Sequence, residues 1–598
     1  MQMLGQRHTV TATAGPDAAP DRAGVRRAQI EFTVPPAESA GSLHSWFRDW
    51  LRIDLSGPTT TVADASGPDV PNRRSDALPP VSSPASDWLS HVLALTVQLL
   101  QAGSVPVFDS AAIEALVPVP GKNGRWRAVL VFPVVDRMDP KTGELALRAA
   151  LDACQKMAVM PFADDAKKAL ASAFDQVIGH IRSLAPKGKS TIPLLHAAHA
   201  LGIPFVHLWN GVYQIGWGSR AVRTTRSATA RDSANGASVA QSKSAAAMML
   251  RAAGLPVPVH ALARSPVQAI GFARRIGWPL VVKPDSADRG EGVTVDVRDE
   301  RKLVAAFETA RAVAAETPIL VERQVDGVCY RLFIVRGALL FAVRRLPKSV
   351  LGDGRSSVAE LIRQANQHEY TAPPWMRTEP FPDDDAARAA IAAAGFTMEF
   401  VPQPDVRVPL RRIESTADGG FHEHVTSEVH PANVDAASRA AALLDLDIAG
   451  VDIISSDISV PWFDNGAVIN EVNFAPVLGR SENSRRRIPE YLARIIDGDG
   501  RIEVEVVIDG SASLSAARQR QQLIVDRGLR CWLTSAGHTV GPDGSERRMP
   551  FATLAERFHA LILDSSVDAL VLAAGSEAEL RGLPTSATER IGSPKAAD

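Results

Sequence analysis

Between positions 277 and 473 an ordered set of charged and amide side chains falls at strand ends, and no other feature constrains this chain as much. Leu280, Val281 and Val282 read as a strand that ends in Lys283, and Pro284 stops it. Gly290 and Gly292 stand in the loop that follows. Ile319, Leu320 and Val321 lead to Glu322. A last pair of strands, GVDIIS and VINEVNF, carries Asp452 and then Glu471 and Asn473. A lysine at a strand end can project its ammonium toward a phosphate, and a glycine loop can close backbone N–H groups over phosphate oxygens. Glu471 and Asn473 are two apart on one strand, so their side chains face the same way. Asp452, Glu471 and Asn473 are hard oxygen donors of the kind that hold Mg2+ against the phosphates of ATP. Any one of these carboxylates alone reads as an ordinary solvated charge; the ordered set does not.

Around this set, helices and strands alternate from Ser227 onward, which places the chain in the mixed α/β (α+β) class. QSKSAAAMMLRAAG, SPVQAIGFARRIG, ERKLVAAFETARAVA, SSVAELIRQANQ and DAASRAAALLDL read as helices. RLFIVRGALLFAVRRLP reads as two strands turning at Arg336-Gly337. A Pro-rich stretch at 371–405 holds one short helix and reads as an inserted loop or lid. Upstream, AQIEFTV and RWRAVLVFPVV read as strands, and SDWLSHVLALTVQLLQAG, GELALRAALDACQKMAV and KKALASAFDQVIGHIRSLA as helices. In SLHSWFRDWLRIDL, Trp46, Phe47, Trp50 and Leu51 share a helix face, expected to dock on the neighbouring domain rather than on a partner. From about 496, strand and helix alternate again as a small parallel unit.

At 598 residues the chain suggests three or four domains. The expected division is a tail over 1–26, a domain over 27–226 with a linker near 56–82, a second over 227–495, and a C-terminal region over 496–598. A net charge of -2 gives no global field for nucleic acid or an anionic membrane. No apolar run approaches the ~20 residues of a membrane span, and the N-terminus has no apolar stretch of a secretory signal. Cys154, Cys329 and Cys531 stand too far apart for a redox or metal pair, which fits a reducing cytoplasm.

Two tempting motifs fail. GKST at 188–191 lacks the earlier glycine of a phosphate loop and follows a helical segment, so Ser190 or Thr191 is expected to cap the next helix instead. His422, His424 and His430 lack a fourth ligand and read as ordinary polar residues rather than a zinc site.

The pieces SKSAAAMMLRAAGLPVP, WPLVVKP, ILVERQVDGVCYRL, RRLPKSVLGDGRSSVAELI, DGGFHEHVTSEVHPANV and AGVDII…INEVNFAP, in this order, resemble an ATP-grasp ligase, and within that group the cyanophycin synthetases. LALTVQLLQAG and GKSTIPLLHAAHALGIP extend the likeness to the N-terminal domain of those enzymes, so that it covers about two-thirds of the chain. The resemblance implies an ATP-grasp fold preceded by an N-terminal α/β domain and followed by a small parallel remnant. It implies that Lys243 and Lys283 bind ATP phosphates, with Gly290 and Gly292 in the loop above them. Glu322, with Arg323 and Val325 after it, would hold adenine, and Asp452, Glu471 and Asn473 would hold Mg2+. Arg344 or Arg345 would stabilise an acyl phosphate, and Asp418, Gly419 and Gly420 would meet the acceptor end of an amino acid or peptide substrate. A homo-oligomer is also implied.

Departures from the family pattern mark where this chain differs. The phosphate loop reads SADRGEG at 286–292, with a glutamate in place of an arginine. Cys329 stands where the family has an aspartate near the ribose. Ala417-Asp418-Gly419-Gly420 replaces a Ser-Thr-Gly-Gly turn, and an aspartate there would repel a carboxylate and attract an amine or guanidinium. The C-terminal region carries VVIDGSAS instead of a second, lysine-bearing phosphate loop, and the chain ends before a full Mur-ligase-like half. The expected activity is therefore one kind of ATP-dependent carboxylate–amine bond. The alternatives are a non-catalytic or regulatory paralogue that binds peptide or polymer, and cyanophycin synthesis proper.

Overall fold

The computed structural model describes residues 10–11, 25–35, 40–53, 55, 83–109, 111–122, 124–133, 138–286, 290–314, 317–377, 380–412, 420–508 and 513–584. They fall into two compact units, one built from 1–223, 372–375 and 496–598, the other from 224–371 and 376–495.

In the first unit a four-stranded sheet runs in the order Val10–Thr11, Val25–Thr33, Arg125–Pro133, Ala112–Pro118, antiparallel throughout. Helices Pro84–Ala102, Lys141–Val159 and Asp164–Leu184 pack with it around one apolar core. The first of these begins two residues earlier than its sequence suggests, because Ser83 and Ser86 form a reciprocal capping box and Pro84 sits at the first helical position. Trp46, Phe47, Trp50 and Leu51 are all buried in the same core, on a turn of π-helix (Trp46–Leu51) that continues the helix Ala40–Ser45. Ser190 does stand before helix Thr191–Ala200, but its side chain makes no cap bond to it, because its backbone is already helical.

Also in this unit, the C-terminal strands Glu503–Ile508, Ala569–Ala574 and Cys531–Thr534 pair in parallel, with Thr539–Val540 antiparallel at one edge. They pack on Trp217, which is buried against Phe558 at 5.3 Å. The Trp217 N–H donates to the Gly500 carbonyl and Gln214 Nε2 to the Ile562 carbonyl. Residues 509–512, where a phosphate loop would lie, are outside the described residues.

Among the described residues the second unit holds two larger sheets and a two-stranded ribbon, Ser349–Leu351 with Arg407–Pro409, all antiparallel, so the alternation of helix and strand resolves here as α+β rather than as parallel units. One sheet has the order Thr294–Val297, Leu280–Pro284, Ile319–Arg323, His260–Ala263. Helices Pro266–Ile276 and Glu300–Val313 cover it, with Ala269, Ala273, Leu303 and Phe307 in the core. The other has the order Phe421–His424, Ala338–Leu346, Val328–Val335, Ile448–Ser455, Val468–Phe474. Its helix Pro431–Leu443 presents Ala436, Ala437, Ala440 and Ala441, small enough to lie close on the strands. The expected turn at Arg336-Gly337 has φ of 49° and 72°, the left-handed pair of a two-residue hairpin loop. The short helix of the Pro-rich insert is Asp385–Ala393, and it packs with Val358, Ile362 and Val408 in a small core of its own. All three cysteines are buried, and none is in a disulfide. No helix among the described residues is long and apolar enough to cross a membrane.

Candidate active site

The strand Leu280–Pro284 places Lys283 one residue before its end, where Pro284 cannot donate onward to the ladder. Pairing with Ile319–Arg323 sets Val281 opposite Glu322 and Lys283 opposite Leu320. The Lys283 ammonium lies 2.7 Å from Glu322 Oε1, and the two side chains are 6% and 7% exposed. A buried ion pair adds little net stability, so this one is better explained by what its groups do. Lys283 also donates to Asn470 Oδ1 at 3.1 Å.

Directly after Lys283 and Pro284 comes Asp285, which the sequence did not single out. Its carboxylate accepts from Ser242 Oγ at 2.9 Å, from the Ser244 N–H at 2.8 Å and from Ser244 Oγ at 3.0 Å. Its carbonyl accepts from the Lys243 N–H at 3.2 Å. Lys243 opens the helix Lys243–Ala252, so Asp285 satisfies free N–H groups at that terminus and ties the two lysine-bearing segments together. Asp285→Ala should cost about 1 kcal/mol of stability, as loss of a helix cap does, and weaken nucleotide binding through Lys243. Urea unfolding together with ATP titration checks both.

The second sheet gathers the acids. Asp452 pairs across the ladder with Arg331 on one side and with Glu471 on the other. Its Oδ1 accepts from Arg331 Nε at 2.6 Å, and its Oδ2 from Arg331 Nη2 at 2.7 Å and Arg345 Nη1 at 2.8 Å. Burial would raise the Asp452 pKa, but the charges of Arg331 and Arg345 outweigh it and hold the carboxyl below its ordinary value. Glu471 goes the other way: burial and the Asp452 charge raise its pKa, with Arg331 at 3.6 Å and Lys243 as partial offsets. Asn473 Nδ2 donates to Glu471 Oε1 at 3.1 Å, so the pair shares a face as expected.

Arg344 and Arg345 alternate across their strand. Arg345 points into the acidic cluster, with Cys329 Sγ 3.9 Å from its Nη1. Arg344 turns to the other face, where Nε lies 3.1 Å from Glu423 in a half-exposed pair. His422 pairs in register with Arg345. Desolvation, then the charges of Arg345, Arg331 and Arg480, lower its pKa to about 4, so it is neutral at pH 7. His430 caps helix Pro431–Leu443, its Nδ1 accepting from the Ala432 N–H at 3.1 Å.

Other expected residues fall nearby or elsewhere. Gly290 and Gly292 have φ of 78° and 70°, and a Cβ on Gly292 would meet Pro284 and Val313 at 3.1 Å, so the loop lies close on its own sheet. The Arg323 guanidinium donates to the Trp278 carbonyl, which turns it back onto the strand. Val325 is half-buried in the connection after Arg323, and Gly420 is half-buried before Phe421–His424. Asp418 and Gly419 lie outside the described residues. Among the described residues no group of three or more His, Cys, Asp or Glu side chains is placed to hold a metal.

Residues 242–330, which include Lys243, Lys283 and Glu322, match the family "Carbamoyl-phosphate synthase L chain, ATP binding domain". The chain is 28% identical over 466 residues to cyanophycin synthetase of Nostoc sp., covering 73% of this chain and 49% of that one. It is 30% identical over 301 residues to cyanophycin synthetase of Geminocystis herdmanii, covering 50% and 34%. It thus spans about half the length, or less, of these curated relatives. Among solved structures it is similar to a bifunctional glutathione synthetase from Pasteurella multocida, with a TM-score of 0.40 and 21% identity over 60% of this chain and 52% of that chain. The sequence matches bear out the resemblance to cyanophycin synthetases and the ATP-grasp core.

Proposed function

We propose that this chain is a cytoplasmic, ATP-dependent carboxylate–amine ligase acting on an amino acid or peptide. The observation that carries the reading is one compact unit holding two lysines, linked through Asp285, and a separate acid–amide set on neighbouring strands. Lys243, Lys283 and the loop of Gly290 and Gly292 bind the phosphates, and Glu322 with the backbone of Arg323 and Val325 meets the base. Mg2+ fits the donor set: Asp452, Glu471 and Asn473 offer two carboxylates and an amide oxygen, and Mg2+ commonly takes one or two carboxylates plus nucleotide oxygens. When bound, it neutralises charge on the transferring phosphoryl group.

A substrate carboxylate oxygen attacks the γ-phosphorus, the bond to the β–γ bridging oxygen breaks, and ADP leaves. The amine nitrogen then attacks the acyl carbon of the acyl phosphate, phosphate departs with the carbon–oxygen bond pair, and the nitrogen gives up its proton to solvent. Arg345, facing the acid cluster, stabilises the oxyanion that forms between these steps. Arg345→Ala should therefore lower turnover about a hundredfold. Arg344→Ala removes a half-exposed pair turned away from Asp452 and should leave turnover within about threefold. Steady-state kinetics of the two variants compares them.

The substrate turn with Asp418, Gly419 and Gly420 favours an acceptor bearing an amine or guanidinium. The region 496–598 serves a structural rather than a catalytic role, and the assembly is a homo-oligomer. A second reading, a nucleotide-binding chain without turnover, is favoured by one observation: both oxygens of Asp452 are already held by guanidinium groups. Phosphate release with ATP and Mg2+ across a panel of amino acids, amines and short Asp- or Arg-containing peptides separates the two. Release that requires an acid and an amine together supports the ligase. Binding of ATP with no release for any pair supports the second reading.

A further inference from the structure

Asn470 lies between two features of the site and belongs to neither. Asp452 stands opposite Glu471, but Ile453 stands opposite Ile469. The strand Val468–Phe474 therefore passes one residue more than its partner, and Asn470 is the extra residue of a β-bulge. In a regular strand neighbouring side chains face opposite ways. A bulge breaks that alternation and re-aims a side chain. Here Asn470 Oδ1 reaches Lys283 Nζ at 3.1 Å, while Glu471, its neighbour, lies 3.6 Å from Arg331 beside Asp452. The bulge thus bridges the ammonium of one sheet and the acid cluster of the other.

We propose that Asn470 is a positioning residue for Lys283, holding its ammonium between Glu322 and the acid-bearing strand so that phosphate grip and metal-facing carboxylates keep one register. This rests on the ATP-binding reading given above. The amide is suited to the task because it is neutral. Lys283 already has a full carboxylate at 2.7 Å. A second carboxylate would cancel the charge that an anionic nucleotide needs, whereas an amide oxygen fixes direction and leaves the charge. An ammonium has three donors; Glu322 and Asn470 engage two among the described residues, and the third is directed by them to a phosphate oxygen.

The test is calorimetric titration of the full chain with Mg·ATP, alongside thermal melting, for the unaltered protein, Asn470→Leu and Asn470→Asp. Asn470→Leu keeps the size and removes the acceptor. It should weaken Mg·ATP binding about tenfold, in line with loss of one hydrogen bond to a charged group, with the melting temperature unchanged. Asn470→Asp keeps the acceptor but adds a charge, and should weaken binding further while melting at the same or a higher temperature. A role confined to packing would move the melting temperature and not the affinity. Unaltered affinity in Asn470→Leu overturns the proposal alone. If that variant does not fold, affinity in Asn470→Asp equal to the unaltered protein overturns it. Absence of any ATP binding by the unaltered protein overturns the nucleotide-site reading itself, and this proposal with it.

Discussion

Asp452→Asn should abolish turnover and destabilise the unit that contains it by about 3–5 kcal/mol, the range for breaking a buried ion pair from one side. Asp452 has no exposed surface, and its two oxygens hold Arg331 and Arg345. Without the anion, two guanidinium groups stay buried side by side. The pH dependence fixes the cause. The folded pKa of Asp452 is held below its ordinary value, by Arg331 and Arg345 against the effect of burial. Its contribution is therefore fully present above the unfolded value of about 3.9 and is lost as pH falls through the folded one. Urea unfolding at pH 7 should show the full gap between the two proteins, and the gap should shrink in strong acid. Equal urea midpoints at pH 7 would show that the cluster contributes no stability.

Glu471→Gln should separate activity from stability. ADP release should fall at least about a hundredfold, as for loss of one charged group at a transferring phosphoryl. The melting temperature should stay the same or rise. Burial and the Asp452 charge both push the Glu471 pKa up. Such a group contributes its stability below the unfolded pKa and loses it as pH rises through the folded one. Ionising Glu471 therefore costs the free chain stability, and glutamine removes that cost. A carboxylate kept at such a cost in the free chain is the behaviour of a ligand for a cation. Differential scanning calorimetry at pH 7 and a coupled ADP assay read both effects; a large fall in melting temperature would show that Glu471 holds the fold instead.

The strand placement of four side chains was legible because each is local. Lys283, Glu322, Glu471 and Asn473 can be read from a few apolar neighbours and a period of two. Arg331 was not, since VCYRLFIV reads simply as a strand and its partner Asp452 lies 121 residues away. Asn470 was hidden for another reason: a bulge leaves no mark in an alternating pattern until the opposite strand is known. Which of Arg344 and Arg345 faces Asp452 likewise awaited the register with Glu423 and His422. Asp285 could have been found, because an acid two residues after a strand-end lysine, near a Ser-Lys-Ser helix start, is a cap in search of a helix. The four-residue strand His260–Ala263 was too short to carry a period. The π-turn at Trp46–Leu51 changes ladder spacing without changing which residues are buried, so the buried face was read correctly and the helix type was not.

The most direct test of the acyl-phosphate ligase is oxygen transfer. The acid substrate is labelled with 18O in its carboxylate, and the phosphate released during amide formation is analysed by mass spectrometry. The mechanism predicts one labelled oxygen in each phosphate, because the attacking carboxylate oxygen leaves with it. Unlabelled phosphate, or label carried into AMP, would contradict it.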